Sequence, residues 1–159
     1  MSKKIILIAG PTASGKSKLA IEVAKKFKGE IINADSMQIY KDFSILSSRP
    51  SSRDLKKIKH HLYGFLSVKK HFSTGAWLVL VKKKINECIK NKKNPILVGG
   101  TGLYFEAVTK GMSKIPNIDF KLRNKIRTLQ IKLGQKKFYQ KLLNLDPLVK
   151  NKIEPFDTQ

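Results

Sequence analysis

Ile5-Ile6-Leu7-Ile8-Ala9-Gly10-Pro11-Thr12-Ala13-Ser14-Gly15-Lys16-Ser17 is the stretch from which the fold is read. Five apolar residues run without alternation into Gly-x-x-x-x-Gly-Lys-Ser. A segment with Leu19, Ala20, Val23, Ala24 and Phe27 at helical spacing follows. Strand, glycine loop and helix in that order are the context in which Gly10, Pro11, Thr12, Ala13, Ser14, Gly15, Lys16 and Ser17 read as a phosphate-binding loop. Gly10 and Gly15 are expected to supply backbone angles that a side chain forbids, so that successive N–H groups turn inward around an anion. The helix opening near Lys16 adds the positive end of its dipole. Lys16 brings a mobile cation, and the Ser17 hydroxyl suits a Mg²⁺ ion bridging phosphate oxygens. An ordinary turn with a helix cap is the competing reading, and the complete pattern with two agreeing flanks favours the phosphate loop. The loop calls for a di- or triphosphate and does not say whose.

Outward from the loop, the first helix is expected over residues 16–27, ending at Lys28-Gly29. Residues 30–34 read as a second buried strand that delivers Asp35 and Ser36 at its carboxyl end, where open α/β sheets hold their ligands. A carboxylate beside a phosphate loop has two jobs open to it: holding Mg²⁺ through water, or taking a proton from a nucleophile. A turn cap is the plainer alternative for Asp35. Ser36 and Gln38 are polar groups near the same edge, fit to read a base. A polar, serine-rich loop runs over residues 41–52. Ser73-Thr74 caps a long helix over residues 75–91, with Trp77, Leu80, Val81, Ile85, Cys88 and Ile89 on one face and lysines on the other. Ile96-Leu97-Val98 forms the third strand. Gly99-Gly100-Thr101-Gly102 then brings the Thr101 hydroxyl to the edge that carries the loop and Asp35. Three strand-then-helix units in series predict a parallel sheet with helices on both faces, a three-layer α/β core of the P-loop NTPase type. That core is expected to occupy residues 1–114. From Ile115 the character changes, and two basic amphipathic segments within residues 115–159 read as the start of a helical insertion.

Composition narrows the partners. The 159 residues carry a net charge of +22, which favours polyanions, nucleic acid first. Most of that charge is lysine, and scattered lysines are often only solvated. The four arginines, Arg49, Arg53, Arg123 and Arg127, are therefore the more informative cations. Arg49 reads as a fork for phosphate or carboxylate. Arg123 and Arg127 stand four apart on one helix face, able to track a phosphate backbone. The single cysteine, Cys88, rules out an internal disulfide and reads as a buried thiol. His60 and His61 are adjacent, point to opposite sides of an extended chain, and have no carboxylate cluster beside them in sequence, so they do not read as a metal pair. No apolar run approaches the ~20 residues of a membrane span, and the chain opens directly into a strand, so a cytoplasmic protein without a signal peptide is expected.

The blocks Gly10 to Ser17, Asn33-Ala34-Asp35-Ser36-Met37-Gln38-Ile39-Tyr40, Arg49-Pro50, His60-His61-Leu62 and Leu97-Val98-Gly99-Gly100-Thr101-Gly102-Leu103-Tyr104 together resemble the tRNA dimethylallyltransferase (tRNA isopentenyltransferase) family, in order over nearly the whole chain. The resemblance implies transfer of a dimethylallyl group from its diphosphate to N6 of the adenine 3′ of the anticodon. It implies that the loop, which looks made for ATP, holds dimethylallyl diphosphate with Mg²⁺ at Ser17, and that Asp35 is the general base with Thr101 beside it. It further implies that Asp35, Ser36, Met37, Gln38 and Thr101 contact the tRNA base, and that Arg123 and Gln159 contact the tRNA anticodon stem-loop from the helical part. A monomer is expected. The chain departs from the family at Leu46-Ser47-Ser48-Arg49-Pro50, where Gly-Thr-Ala-Lys-Pro is usual; a hydroxyl and a cation are kept. Family members are about twice as long, so the chain reads as the N-terminal part, a fragment or a truncated product. A small-molecule kinase using ATP at the loop, and a non-catalytic tRNA- or nucleotide-binding remnant, are the alternatives.

Overall fold

The computed structural model describes residues 4–113 and 118–157. The chain divides into two compact units, Met1–Ser113 and Lys114–Gln159. The junction residues Ile115, Pro116 and Asn117, and the terminal Gln159, lie outside the described residues.

The first unit is built on four parallel strands, β1 (Ile6–Ala9), β2 (Gly29–Asn33), β3 (His60–His61) and β4 (Asn94–Gly99), in the spatial order β1-β4-β2-β3. The register aligns Ala9 with Gly99 and Val98 with Asn33, so three carboxyl ends finish side by side. The central strands β2 and β4 are buried on both faces, which is why they read as continuous apolar runs. Helix α1 (Lys16–Lys26) covers one face, where Ala20, Ile21 and Ala24 meet Ile31, Ile96 and Val98. After a 3₁₀ turn at Lys41–Phe43 comes the short helix α2 (Ser52–Lys57), whose first turn is capped by the Ser51 hydroxyl accepting from the Asp54 N–H. The other face is covered by α3 (Thr74–Lys90) and α4 (Gly102–Thr109), where Trp77, Leu78, Val81, Ile85, Cys88, Tyr104 and Ala107 pack on Ile32, Ala34 and Leu97. Helix, sheet, helix is the expected three-layer core.

One local expectation needs correction. In α3 Leu78 is buried and Leu80 only half-buried, because Trp77, Val81, Ile85 and Cys88 set the stripe and Leu78 lies nearer its centre than Leu80. The His60 segment makes a strand of just two residues, and Leu62 follows in the left-handed region at φ 62°, which ends the pairing with β2.

The second unit pairs α5 (Phe120–Leu133) with α6 (Gln135–Leu145), followed by a 3₁₀ turn at Pro147–Asn151. Gly134 at φ 73° makes the corner between the helices. No described residue of this unit is fully buried, and Phe120, Ile131, Leu145, Leu148 and Phe156 are each more than two-thirds exposed. A pair of helices this short has too few facing side chains to enclose a core.

Candidate active site

The glycine loop joins β1 to α1. Its Gly10 N–H donates to the Gly99 carbonyl at 3.3 Å, which fixes the loop to the end of β4. Gly15 is left-handed at φ 81° and forms the helix cap without a side-chain hydrogen bond, and the first turn of α1 contains no acid. Its amides and dipole therefore face the loop uncompensated by a carboxylate. The second left-handed residue of the loop is Ala13 at φ 63°, and not Gly10. Gly10 serves by its size: a Cβ there would lie 3.1 Å from the Ser14 hydroxyl oxygen. The Lys16 ammonium lies across the loop, donating to the Pro11 carbonyl and, at 3.4 Å, to the Ser14 hydroxyl. The Ser14 hydroxyl in turn donates to the Pro11 carbonyl at 2.9 Å. The cation is thus held at the middle of its own cradle.

Asp35 stands two residues beyond β2. The Ala34 N–H donates to the Val98 carbonyl at 2.8 Å, and the Thr101 N–H to the Ala34 carbonyl at 3.3 Å, so the chain leaving β2 stays bound to β4 and its following turn. Gly99 permits that approach. A Cβ there would collide with the Ala34 carbonyl and come within 2.7 Å of the Asp35 nitrogen. The buried Asn33 amide then grips Asp35 from both sides, accepting its N–H at 2.9 Å and donating to its carbonyl at 2.9 Å. The same amide nitrogen donates to the Leu62 carbonyl at 3.1 Å. Behind it the Trp77 indole N–H donates to the Asn33 carbonyl at 3.1 Å, and the Trp77 ring stacks on Tyr104 with centroids 4.0 Å apart. One Asp35 carboxylate oxygen accepts the Met37 N–H at 2.9 Å.

The loop and Asp35 line one cleft of about 300 Å³, whose wall includes Thr12 to Ser17, Asp35, Gln38, Ser48, Tyr63 and Gly99. The hydroxyl and carboxylate oxygens on this wall, from Ser17 and Asp35, are the hard donors that Mg²⁺ requires, so the residues fit that ion. Tyr63 is held neutral, because burial first and the nearby Asp35 second push its hydroxyl upward.

The remaining expected residues are arranged less simply. Thr101 does reach the same edge, and its hydroxyl is engaged there: it accepts the Ser36 N–H at 2.9 Å and donates to the Ser36 hydroxyl at 3.3 Å. Met37 is exposed, and the Gln38 amide donates to the Ser47 carbonyl at 2.8 Å. The Arg49 guanidinium donates to the Tyr40 carbonyl at 3.2 Å and lies against Gly64, where any Cβ would collide with it. Arg123 and Arg127 are exposed on α5 in the second unit. One carboxylate attends the histidines, from a strand 31 positions away. His61 is buried, with Nε2 2.6 Å from a Glu30 carboxylate oxygen, while His60 turns its Nδ1 to the Ile58 carbonyl at 2.8 Å. Glu30 occupies a strand that is otherwise without charge, and that anomaly is the sequence signal for the pair. Asn33 has a signal of its own: a buried strand ending in Asn-x-Asp marks an amide that clamps the turn.

The sequence model of the IPP transferase family matches residues 38–159. A tRNA dimethylallyltransferase from Pelagibacter ubique is 61% identical over 156 residues, covering 98% of this chain and 50% of the relative. One from Rickettsia canadensis is 48% identical, covering 99% and 48%. Among solved structures, a eukaryotic dimethylallyltransferase acting on tRNA superposes with a TM-score of 0.82 at 32% identity, over 98% of this chain and 39% of that one. The full-length tRNA isopentenylpyrophosphate transferase from Bacillus halodurans gives 0.69 at 31% identity, over 97% and 51%. The chain spans about half the length of the curated relatives it matches. With its glycine cradle, its clamped aspartate and a family match over more than half its length, the chain belongs to the IPP transferase family.

Proposed function

We propose that the chain takes part in prenylating tRNA, moving a dimethylallyl group from its diphosphate to N6 of the adenosine 3′ of the anticodon. The observation that carries this reading is the shared cleft of the loop and Asp35. The reaction expels diphosphate from an allylic carbon, so its barrier falls when the leaving anion is stabilised. The amides of residues 12–17 and the Lys16 ammonium do this, since Lys16 exchanges its contacts with the Pro11 carbonyl and the Ser14 hydroxyl for phosphate oxygens. Mg²⁺, when bound, supplies further charge neutralisation, and the Ser17 hydroxyl is the donor on the cleft wall that would hold it. Adenine N6 is a weak nucleophile, and the Asp35 carboxylate accepts its proton as the new C–N bond forms. The adenine leaves the anticodon stack to enter the cleft. It is met there by Ser36, Met37, Gln38 and Thr101, with Thr101 fixing the Ser36 turn. Arg123 offers its exposed guanidinium to the tRNA backbone. The enzyme acts as a monomer in the cytoplasm, where its basic surface meets tRNA.

The test is transfer to an anticodon stem-loop with adenosine at that position, followed by mass spectrometry, with Mg²⁺ and dimethylallyl diphosphate. Modification that vanishes in Asp35→Ala supports the reading. Turnover that survives the substitution removes Asp35 as base. Binding of dimethylallyl diphosphate, weakened in Lys16→Ala, is measured beside it. Phosphoryl transfer from ATP to a small acceptor, without prenyl transfer, overturns the proposal in favour of a kinase.

A further inference from the structure

Glu30 is the second residue of β2, at the end of the strand away from the cleft. Asp35 lies five positions along, about 16 Å at the rise of an extended strand. The Glu30 carboxylate faces the α3 side of the sheet, next to the layer formed by Ile32, Leu97 and Val81. Two other potential ligands meet it there from different elements: His61 of β3, whose Nε2 is 2.6 Å from Glu30 Oε2, and Cys88 of α3, whose Sγ is 3.7 Å from the same oxygen. All three side chains are buried, and their ligand atoms lie within 4.8 Å of one another.

We propose that Glu30, His61 and Cys88 form a binding site for a borderline-soft divalent cation, Zn²⁺ by its chemistry, separate from the cleft and independent of the reaction assigned to it. Carboxylate, imidazole and thiolate are the three donor types Zn²⁺ takes. Bonds of about 2.0–2.3 Å in a tetrahedron set such donors about 3.3–3.6 Å apart. The oxygen–sulfur distance is already close to that, and the oxygen–nitrogen distance needs only the exchange of one hydrogen bond for two metal bonds. Three protein ligands leave a fourth position for water.

Charge sets the cost that a bound ion must offset. Burial, then the Glu30 charge and its hydrogen bond, push the Cys88 thiol up to about 11. A thiolate forms here only beside a compensating cation, and a divalent ion balances the thiolate and the carboxylate together. Uptake releases the thiol proton, so affinity falls as pH falls. The neighbouring charges are Lys59, whose ammonium is 3.8 Å from Glu30 and mostly exposed, and Glu87 of α3. Lys59 is free to swing into water, and Glu87 adds negative potential. A site joining β2, β3 and α3 would also secure the two-residue edge strand.

The experiment titrates the reduced 159-residue chain with Co²⁺ and then Zn²⁺. Cys88 is the sole cysteine, so a thiolate-to-cobalt charge-transfer band in the near ultraviolet reports this site alone. The band is expected to saturate at one equivalent, to be bleached by Zn²⁺, and to be lost in Cys88→Ser and Glu30→Gln, with folding followed by circular dichroism. If those variants fail to fold, the unaltered chain decides: stoichiometric Zn²⁺ should slow alkylation of Cys88 by about tenfold or more, with chelator reversing it. Cobalt binding without a thiolate band, as an ion on exposed His71 would give, overturns the proposal. So does alkylation indifferent to Zn²⁺, which would leave Glu30 and His61 as a buried hydrogen-bonded pair.

Discussion

Replacing Asn33 by alanine removes three hydrogen bonds at one stroke: the two to Asp35, both 2.9 Å, and the one to the Leu62 carbonyl, 3.1 Å. Each is worth about 1 kcal/mol net, so the loss is about 3 kcal/mol, a large share of the stability of a small domain. Asn33 is wholly inaccessible, so alanine also leaves unfilled space beneath the half-buried Asp35 and Leu62. The assay is urea unfolding followed by the fluorescence of Trp77, the one tryptophan, whose indole donates to the Asn33 carbonyl, with circular dichroism as a second probe. The isosteric Asn33→Asp variant separates shape from hydrogen bonding. It keeps the acceptor for the Asp35 N–H but sets a carboxylate against two carbonyl oxygens. That acid must be protonated to donate, so its folded-state pKa is raised, and the variant regains stability as pH falls and loses it as pH rises. A loss below about 1 kcal/mol in Asn33→Ala, or an Asn33→Asp variant as stable as the parent at neutral pH, would refute the clamp.

Three further outcomes are expected. Lys16→Ala should weaken binding of inorganic pyrophosphate by about tenfold or more, as an ion pair at about 4 Å near a protein surface implies; calorimetry showing unchanged affinity removes Lys16 from the cradle. Stability should decline above pH 9.0, because the Cys88 thiol is raised to about 11 and the Tyr104 hydroxyl to about 12 by burial first. Both groups ionise in the unfolded chain before the folded one, so their contribution is complete at lower pH and is lost as pH climbs. Thermal melts of Cys88→Ser should show a shallower fall between pH 9 and about 11, and parallel curves would count against a buried thiol. Trp77→Phe should destabilise by about 2–4 kcal/mol, through an unpaired Asn33 carbonyl and an underfilled layer against Tyr104; a variant melting with the parent would contradict that packing.

Much of the core is legible in the sequence because its signals are local. An unbroken apolar run reads as a strand buried on both faces. That holds for β2 and β4 but not for β1, which ends the sheet and leaves Leu7 40% exposed. Gly15-Lys16-Ser17 marks where β1 gives way to α1. The alignment of Asp35 with the loop also follows, since parallel strands in this order finish on one edge. What stays hidden depends on register. Glu30 and His61 are 31 positions apart, and only the pairing of Ile31 with His60 and of Ile32 with His61 brings them together. The left-handed turn at Leu62 cuts β3 short without any glycine to announce it. Arg49 reads as a fork for an anion in sequence because its seat against Gly64 is a tertiary contact, invisible in spacing. The Thr101 hydroxyl reads as a substrate contact, and it is already tied to Ser36, 65 positions away.

The missing side chain at Gly99 acts as the hinge pin of this edge. Because nothing projects from it, the exit of β2 lies directly on the exit of β4, and backbone contact there sets the spacing between the anion cradle and the carboxylate that the Asn33 amide then holds. Lateral chains can vary around the mouth without altering that gauge, whereas a single methyl at position 99 would wedge the two exits apart and carry Asp35 away with them. Efforts to reshape this mouth for other acceptors therefore have latitude at Met37 or Ser48 and none at this one position.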